Sequence, residues 1–345
     1  MASKETFSKY PAFPDNVPDA AVPKISLRQI KSRDPTVSKR LTDAGKEVGC
    51  FKVDLTDAID GPVLLQGVER GFDVGKAFFD QDIETKKAYK LSGFNVGYKQ
   101  VGVLVITKEP RDQVETCYVS RDPLFSSRPD LPSYFDQQRL LLQGLVAQLG
   151  QLSQLAVYHL SEGLGLDYGV VSARHDPRDP SATMIRFLHN PPQRGPREEL
   201  PSTPGKPSRV YLMGHSDVGT VTILFNVLGG LQLQRQQKDG SIEWQSIPPE
   251  PGCALIMVGD AFKSFTDGEV PSCVHRVIQP PGEQGRKDRY ALGFFLKPAS
   301  GAHIIPVPRR GVKENGVNKA SDYGGQAKNK NAADYNEMRQ ENVAI

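Results

Sequence analysis

Hydrophobic positions follow two different periods along this chain. Between residues 141 and 160, Leu141, Leu145, Leu149, Leu152, Ala156 and Leu160 recur at steps of three and four. That spacing puts them on one face of a long helix, and a helix with one apolar face should back a sheet. From residue 183 to 308 the pattern changes to short β-branched and apolar runs, at 184–188, 209–213, 220–225, 231–234, 254–258, 274–278 and 290–296, separated by Gly and Pro. Short strands at this density predict a barrel or a sandwich. The first 130 residues mix both patterns, with strands at 22–27 and 51–55 and helices at 39–48 and 67–90, the second helix carrying Phe72, Phe78 and Phe79. Six prolines fall within residues 191–207, too many for a strand or helix interior, which predicts a long surface loop placed as a lid. After Pro308 the chain turns polar, with a helix predicted over 332–342. The chain therefore divides into a mixed α/β region (1–130), a backing helix and connector (131–182), a β domain (183–308) and a polar tail (309–345).

Composition narrows the functional classes. The chain has 345 residues, 38% hydrophobic and 24% charged, which is globular composition and excludes a disordered protein. Lys and Arg number 43 against 40 Asp and Glu, and a net charge of +3 without a basic cluster does not predict a nucleic-acid partner. Cys50, Cys117, Cys253 and Cys273 form no CxxC pair and the first residues lack a signal-like apolar run, so reduced thiols in a cytoplasmic protein are expected. Gln143, Gln148, Gln151 and Gln154 interrupt the apolar stretch at 140–160, so no membrane span is expected. Nothing in the sequence fixes an oligomeric state.

Six histidines can be weighed one by one. His159 on the long helix, and His175 and His303 in Pro-rich surroundings, read as packed or hydrogen-bonded side chains. His189 is open between the two readings. His215, in Gly214-His215-Ser216-Asp217, and His275, in Val274-His275-Arg276-Val277, stand out. In extended chain His215 and Asp217 project to the same side. A second imidazole from a facing strand at His275 would complete a two-His-one-carboxylate set, the triad that leaves positions open on a non-haem Fe(II). His-x-Asp alone appears by chance in about one such chain in three, so its setting matters. It precedes Gly219 and an apolar run, and a Gly229-Gly230-Leu231-Gln232 turn, Gly259-Asp260, His275 and Arg289-Tyr290-Ala291 follow in order. A guanidinium at Arg289 inside a barrel requires an anion, and its planar fork fits a carboxylate.

This order of motifs resembles the 2-oxoglutarate and Fe(II)-dependent dioxygenases of the isopenicillin N synthase-like branch. The resemblance runs from Val22-Pro23-Lys24-Ile25 through Gly49 to Val53, Ala77-Phe78-Phe79, Gly97-Tyr98, residues 112–115 and the run from Met184 to Pro192, and on to Ala291. It implies a mainly β fold with flanking helices around a double-stranded β-helix, the jelly-roll, cupin-like core. It also implies His215, Asp217 and His275 as catalytic metal ligands for Fe(II), and Arg289 as the residue that binds the distal carboxylate of 2-oxoglutarate. The implied reaction turns 2-oxoglutarate and O2 into succinate and CO2 while a C–H bond of a small-molecule substrate is hydroxylated, desaturated or cyclised, a chemistry used in secondary metabolism. Two positions depart from the family pattern. Ala291 stands where a Ser or Thr hydroxyl usually also bonds the distal carboxylate, and Asn190 stands where a Tyr is common near the co-substrate. Arg186 shares a strand face with Leu188 and Asn190, so it either meets an anionic or carbonyl group of the substrate or forms a structural ion pair. Tyr98 and Phe225 are further substrate-pocket candidates that read equally well as core residues. Competing readings are an Fe(II)/O2 oxidase of the same fold that does not use 2-oxoglutarate, a zinc hydrolase with one open site, and a non-catalytic scaffold.

Overall fold

The computed structural model describes residues 7–89, 96–103, 112–127, 131–192, 209–237, 239–311 and 331–334. Within them run β1 (Lys24–Ser26), β2 (Cys50–Asp54), β3 (Val96–Lys99), β4 (Glu115–Ser120), β5 (Met184–Asn190), β6 (Val210–His215), β7 (Val221–Asn226), β8 (Leu231–Gln236), β9 (Ile242–Ser246), β10 (Cys253–Val258), β11 (His275–Ile278) and β12 (Arg289–Leu296). They form an eight-stranded sheet in the order β1-β2-β10-β7-β12-β5-β4-β3 and a four-stranded sheet in the order β6-β11-β8-β9. The β1–β2 pair is parallel. The other pairs are antiparallel. Two facing antiparallel sheets with flanking helices are the jelly roll expected from the sequence.

Strand alternation divides the apolar residues between two cores. Val221, Ile223 and Phe225 of β7, Leu292, Phe294 and Leu296 of β12, and Ile185 and Phe187 of β5 pack on the helix side. Leu224, Leu255, Met257 and Ala291 face the other way and meet Tyr211, Leu231, Leu233 and Val277 of the smaller sheet. The large sheet is thus covered on both faces, which is why every residue of β7 and β10 is buried and β10 reads as an unbroken apolar run.

The predicted long helix spans Arg139–Leu164 and ends at Gly165 in the left-handed conformation. By length and composition it could cross a bilayer, contrary to the reading taken from its glutamines. Here it serves as the backing helix, packed on Pro35–Val48 and Gly61–Phe79. Gly163 permits the closest of these approaches: a Cβ there would lie 2.1 Å from Thr42 Oγ1 and 2.6 Å from the Ser38 carbonyl. His159, on the same helix, is fully buried, with Nδ1 2.8 Å from Ser38 Oγ and Nε2 donating to the Ile30 carbonyl at 2.7 Å.

Elsewhere capping chemistry moved the boundaries. Ser26 accepts a hydrogen bond from the Gln29 N–H, so Leu27 starts a helix instead of ending the first strand. Asp82 caps a separate helix, Ile83–Ala88, which breaks the single helix predicted over 67–90 into two. Strands β3, β4 and β9 were not predicted; their polar positions hide the alternation. Most of the 191–207 loop and of the predicted 332–342 helix lies outside the described residues.

His175 donates from Nδ1 to the Val171 carbonyl (2.8 Å) and accepts at Nε2 from Thr220 Oγ1 (2.7 Å), an arrangement that needs a neutral ring. Burial pulls its pKa down to about 4. The unfolded chain takes up a proton near pH 6.5 that the fold refuses until about pH 4, so stability is lost as pH falls through that window. We expect denaturant midpoints to fall between pH 6.5 and 4, with His175 accounting for up to about 3 kcal/mol. In His175→Gln that part of the slope should vanish.

Candidate active site

Strand pairing assembles the predicted triad. His275, at the start of β11, is directly opposite His215, at the end of β6, and their rings are 4.4 Å apart. Asp217 follows two residues after β6, where the chain turns back. Its carbonyl accepts from the Asp260 N–H at 2.8 Å, and a Cβ on Gly259 would lie 2.9 Å from that same carbonyl oxygen and 2.1 Å from the Gly219 carbonyl. Glycine is required at 259 for this close backbone approach. One ligand atom from each of His215, Asp217 and His275 lies within 4.8 Å of the others, the one such cluster of metal-ligating groups among the described residues.

Each ligand is oriented by a second bond. His215 Nδ1 donates to the Met213 carbonyl (2.8 Å) and His275 Nδ1 to the Cys273 carbonyl (3.0 Å), which leaves both Nε2 lone pairs for a metal. Thr222 Oγ1 donates to Asp217 Oδ2 (2.6 Å), leaving Oδ1 toward His215 Nε2 at 3.9 Å. Burial, helped by the neighbouring His275, pulls the His215 pKa down to about 4. Burial acts to raise the Asp217 carboxyl, but His275, His215 and Thr222 outweigh it and hold the group below the usual carboxylate range. Two imidazoles with free Nε2 atoms and one carboxylate held ionised, converging on one point, suit a divalent transition metal with open positions.

Arg289 and Asn190 form a cross-strand pair in the β12–β5 ladder. Arg289 is 2% exposed, donates from Nε to the Gly229 carbonyl (2.7 Å) and from Nη1 to Asn190 Oδ1 (3.2 Å). Asn190 is itself anchored, donating to the Gln113 carbonyl at 2.8 Å. Burial lowers the Arg289 pKa to about 10, so the guanidinium stays charged at neutral pH. Among the described residues no carboxylate pairs with it. Ala291 is buried two pairs along, opposite Leu188 and Asn226, and supplies no hydroxyl.

The structure separates the remaining candidates. Arg186 faces the barrel interior, between the rings of Tyr118 and Phe295. Phe225 does not: it belongs to the helix-side core, because odd positions of β7 point away from the smaller sheet. Tyr98 is likewise on the helix side. Its hydroxyl donates to Glu115 Oε2 at 2.5 Å and its ring packs 5.9 Å from Phe78. Neither lines the space around the triad. His189 is structural, bridging Glu115 (2.6 Å) and Asp288 (2.7 Å) and stacked on Tyr290. Thr222 and the two rings around Arg186 were missed in the sequence, and Gly259 was noted only as part of the motif order. Only the alternation that puts Thr222 on the barrel-facing side of β7 could have drawn attention to any of them.

Comparisons with known proteins agree with this geometry. Residues 181–298 match the model of the 2OG-Fe(II) oxygenase superfamily, and residues 22–139 match that of the non-haem dioxygenase in morphine synthesis N-terminal region. The chain is 28% identical over 329 residues to a 2-oxoglutarate-dependent dioxygenase of Aspergillus fumigatus, covering 86% of this chain and 83% of that protein. It is 29% identical over 275 residues to the 2-oxoglutarate-dependent dioxygenase ecdG of Aspergillus rugulosus, covering 76% and 77%. In fold it is similar to a full-length Neurospora crassa protein solved in complex with alpha-KG, with a TM-score of 0.72, 20% identity and coverage of 98% and 99%.

Removing a ligand and loosening one should differ in degree. Fe(II) titration of the apoprotein without O2 should show no binding in His275→Ala or Asp217→Ala. Thr222→Val keeps the shape but frees the carboxylate to rotate, and should weaken binding by about 10- to 100-fold.

Proposed function

Because the chain belongs to the 2OG-Fe(II) oxygenase superfamily, we propose that its barrel oxidises a C–H bond of a small organic molecule, by hydroxylation or by desaturation or cyclisation, in the making of a natural product. The chain is a 2-oxoglutarate-dependent dioxygenase. Fe(II), held by His215, Asp217 and His275, supplies the redox chemistry that couples O2 and 2-oxoglutarate to substrate oxidation, with succinate and CO2 as co-products.

The chain's own part is binding, orientation and exclusion of water. Arg289 takes the distal carboxylate. Its Nε and Nη1 are committed to Gly229 and Asn190, which fixes the plane of the guanidinium and leaves Nη2 for the incoming anion. Such a buried cation without a carboxylate partner is the observation that carries the co-substrate reading, and it disfavours the oxidase that dispenses with 2-oxoglutarate. A zinc hydrolase has no use for it either. The apolar lining from Leu224, Leu231, Leu233 and Val277 keeps the space between the sheets dry. Four buried free thiols suit the reducing cytoplasm proposed as its setting.

The test is a titration of 2-oxoglutarate into the Fe(II)-loaded protein without O2, followed by the visible charge-transfer absorption of a chelated 2-oxo acid. Wild type should develop the band and, with O2, release succinate. Arg289→Met should lose at least about tenfold in co-substrate affinity. Ala291→Ser, which restores a hydroxyl beside the distal carboxylate, should gain up to about tenfold. Oxygen uptake without succinate would favour the oxidase instead.

A further inference from the structure

Arg186 is placed like a ligand-binding group without its ligand. It is on β5 in the cross-strand row Tyr118–Arg186–Gly293–Leu224, on the face turned toward the smaller sheet. Its Cζ is 4.5 Å from the centre of the Tyr118 ring and 4.2 Å from that of Phe295. Gly293 makes room for this clamp: a Cβ there would fall 2.8 Å from Phe295 Cε2. Two rings fix the guanidinium plane but satisfy none of its N–H groups. Nε is fully buried and has no hydrogen-bond partner. Among the described residues no acidic side chain forms an ion pair with it. Arg186 is partly buried, and stacking, worth about 0.5–2 kcal/mol, leaves its buried Nε–H without an acceptor.

Its position beside the triad identifies what is missing. The Arg186 charge acts on both His215 and Asp217. With metal and co-substrate in place, Asp217 and the two carboxylates of 2-oxoglutarate balance the double charge of Fe(II) and the single charge of Arg289. Among the described residues no carboxylate is left to compensate Arg186. Lys297, 5% exposed at the end of β12, is the other cation nearby, and burial lowers its pKa to about 7. Its charge is therefore only partial near neutrality, whereas that of Arg186 is permanent.

We propose that Arg186 binds a carboxylate of the prime substrate, so that the enzyme oxidises a carboxylic acid whose reacting C–H bond is placed over the metal by this contact. A planar fork held rigid by two rings matches a carboxylate in two-point geometry. Specificity then comes from polar groups that neutral analogues would leave unpaired. The inference rests on the dioxygenase reading above, since the charge balance assumes Fe(II) and 2-oxoglutarate.

The experiment is calorimetric binding, without O2, to protein loaded with Fe(II) and 2-oxoglutarate. The probes are hexanoate, phenylacetate and N-acetylleucine, each against its primary amide. We expect the acids to bind at least about tenfold more tightly than the amides, the preference to vanish in Arg186→Met and to survive in part in Arg186→Lys, and 2-oxoglutarate affinity to stay unchanged in Arg186→Met. Amides binding as well as acids, no acid binding at all, or acid binding untouched by Arg186→Met each overturns the proposal. So does a loss of 2-oxoglutarate affinity in Arg186→Met, which would assign the residue to the co-substrate. Should Arg186→Met fail to fold, the wild-type preference of acid over amide and its reduction in Arg186→Lys decide. A wild-type protein that takes up no 2-oxoglutarate would instead refute the dioxygenase reading.

Discussion

The pairing of β6 with β11 is the constraint on which the site depends. It sets His215 directly opposite His275, and a slip of one residue would turn one of the imidazoles to the outer face of the sheet. The ladder is irregular immediately beyond this pair, with register shifts between His275 and Val277 and between Val277 and Ile278. On its other edge β11 pairs regularly with β8, opposite Leu233, Gln232 and Leu231. The histidine pair is therefore held from the β8 side, while on the β6 side the irregularity is taken up at Leu212 and Val210. The third ligand comes from the turn that follows, and the absence of a side chain at Gly259 lets that turn close.

The large sheet divides structure from chemistry by strand alternation alone. Its helix-facing residues are aromatic and aliphatic and bind the sheet to Arg139–Leu164 and Gly61–Phe79. Its inward residues include the polar exceptions: Asn190, Arg186, Arg289, Thr222 and Asn226. A buried polar residue is costly unless paired. Thr222 is paired with Asp217, Asn190 with Gln113 and Arg289, and Asn226 with the Leu228 carbonyl. Arg289 and Arg186 keep unspent hydrogen-bonding capacity on the face turned toward the smaller sheet.

The same logic explains which histidines are inert. His159, His175 and His189 each have both ring nitrogens within bonding distance of the protein, so no lone pair is left for a metal. His215 and His275 each spend only Nδ1. The number of nitrogens the fold uses separates the structural imidazoles from the two that can still ligate.

Much of this was legible in one dimension. The His-x-Asp spacing, the later His275 and Arg289, the apolar stripe of the long helix and the runs of the barrel strands are local patterns, and local patterns survive in sequence because helix and strand periods are fixed by backbone geometry. Side-chain facing was less so. Phe225 and Tyr98 read equally as pocket or core residues, and the fold turns both to the helix side, because which face of a strand looks inward depends on partners far away in the chain. Position 190 was legible as a departure from the family pattern, but its use as the clamp of Arg289 appeared only with the β5–β12 register. For Arg186 the sequence left an ion pair and a substrate contact open. Only the tertiary structure could weigh them, since whether a guanidinium has a partner is a question about which residues from Tyr118, Phe295 and the metal triad are brought around it.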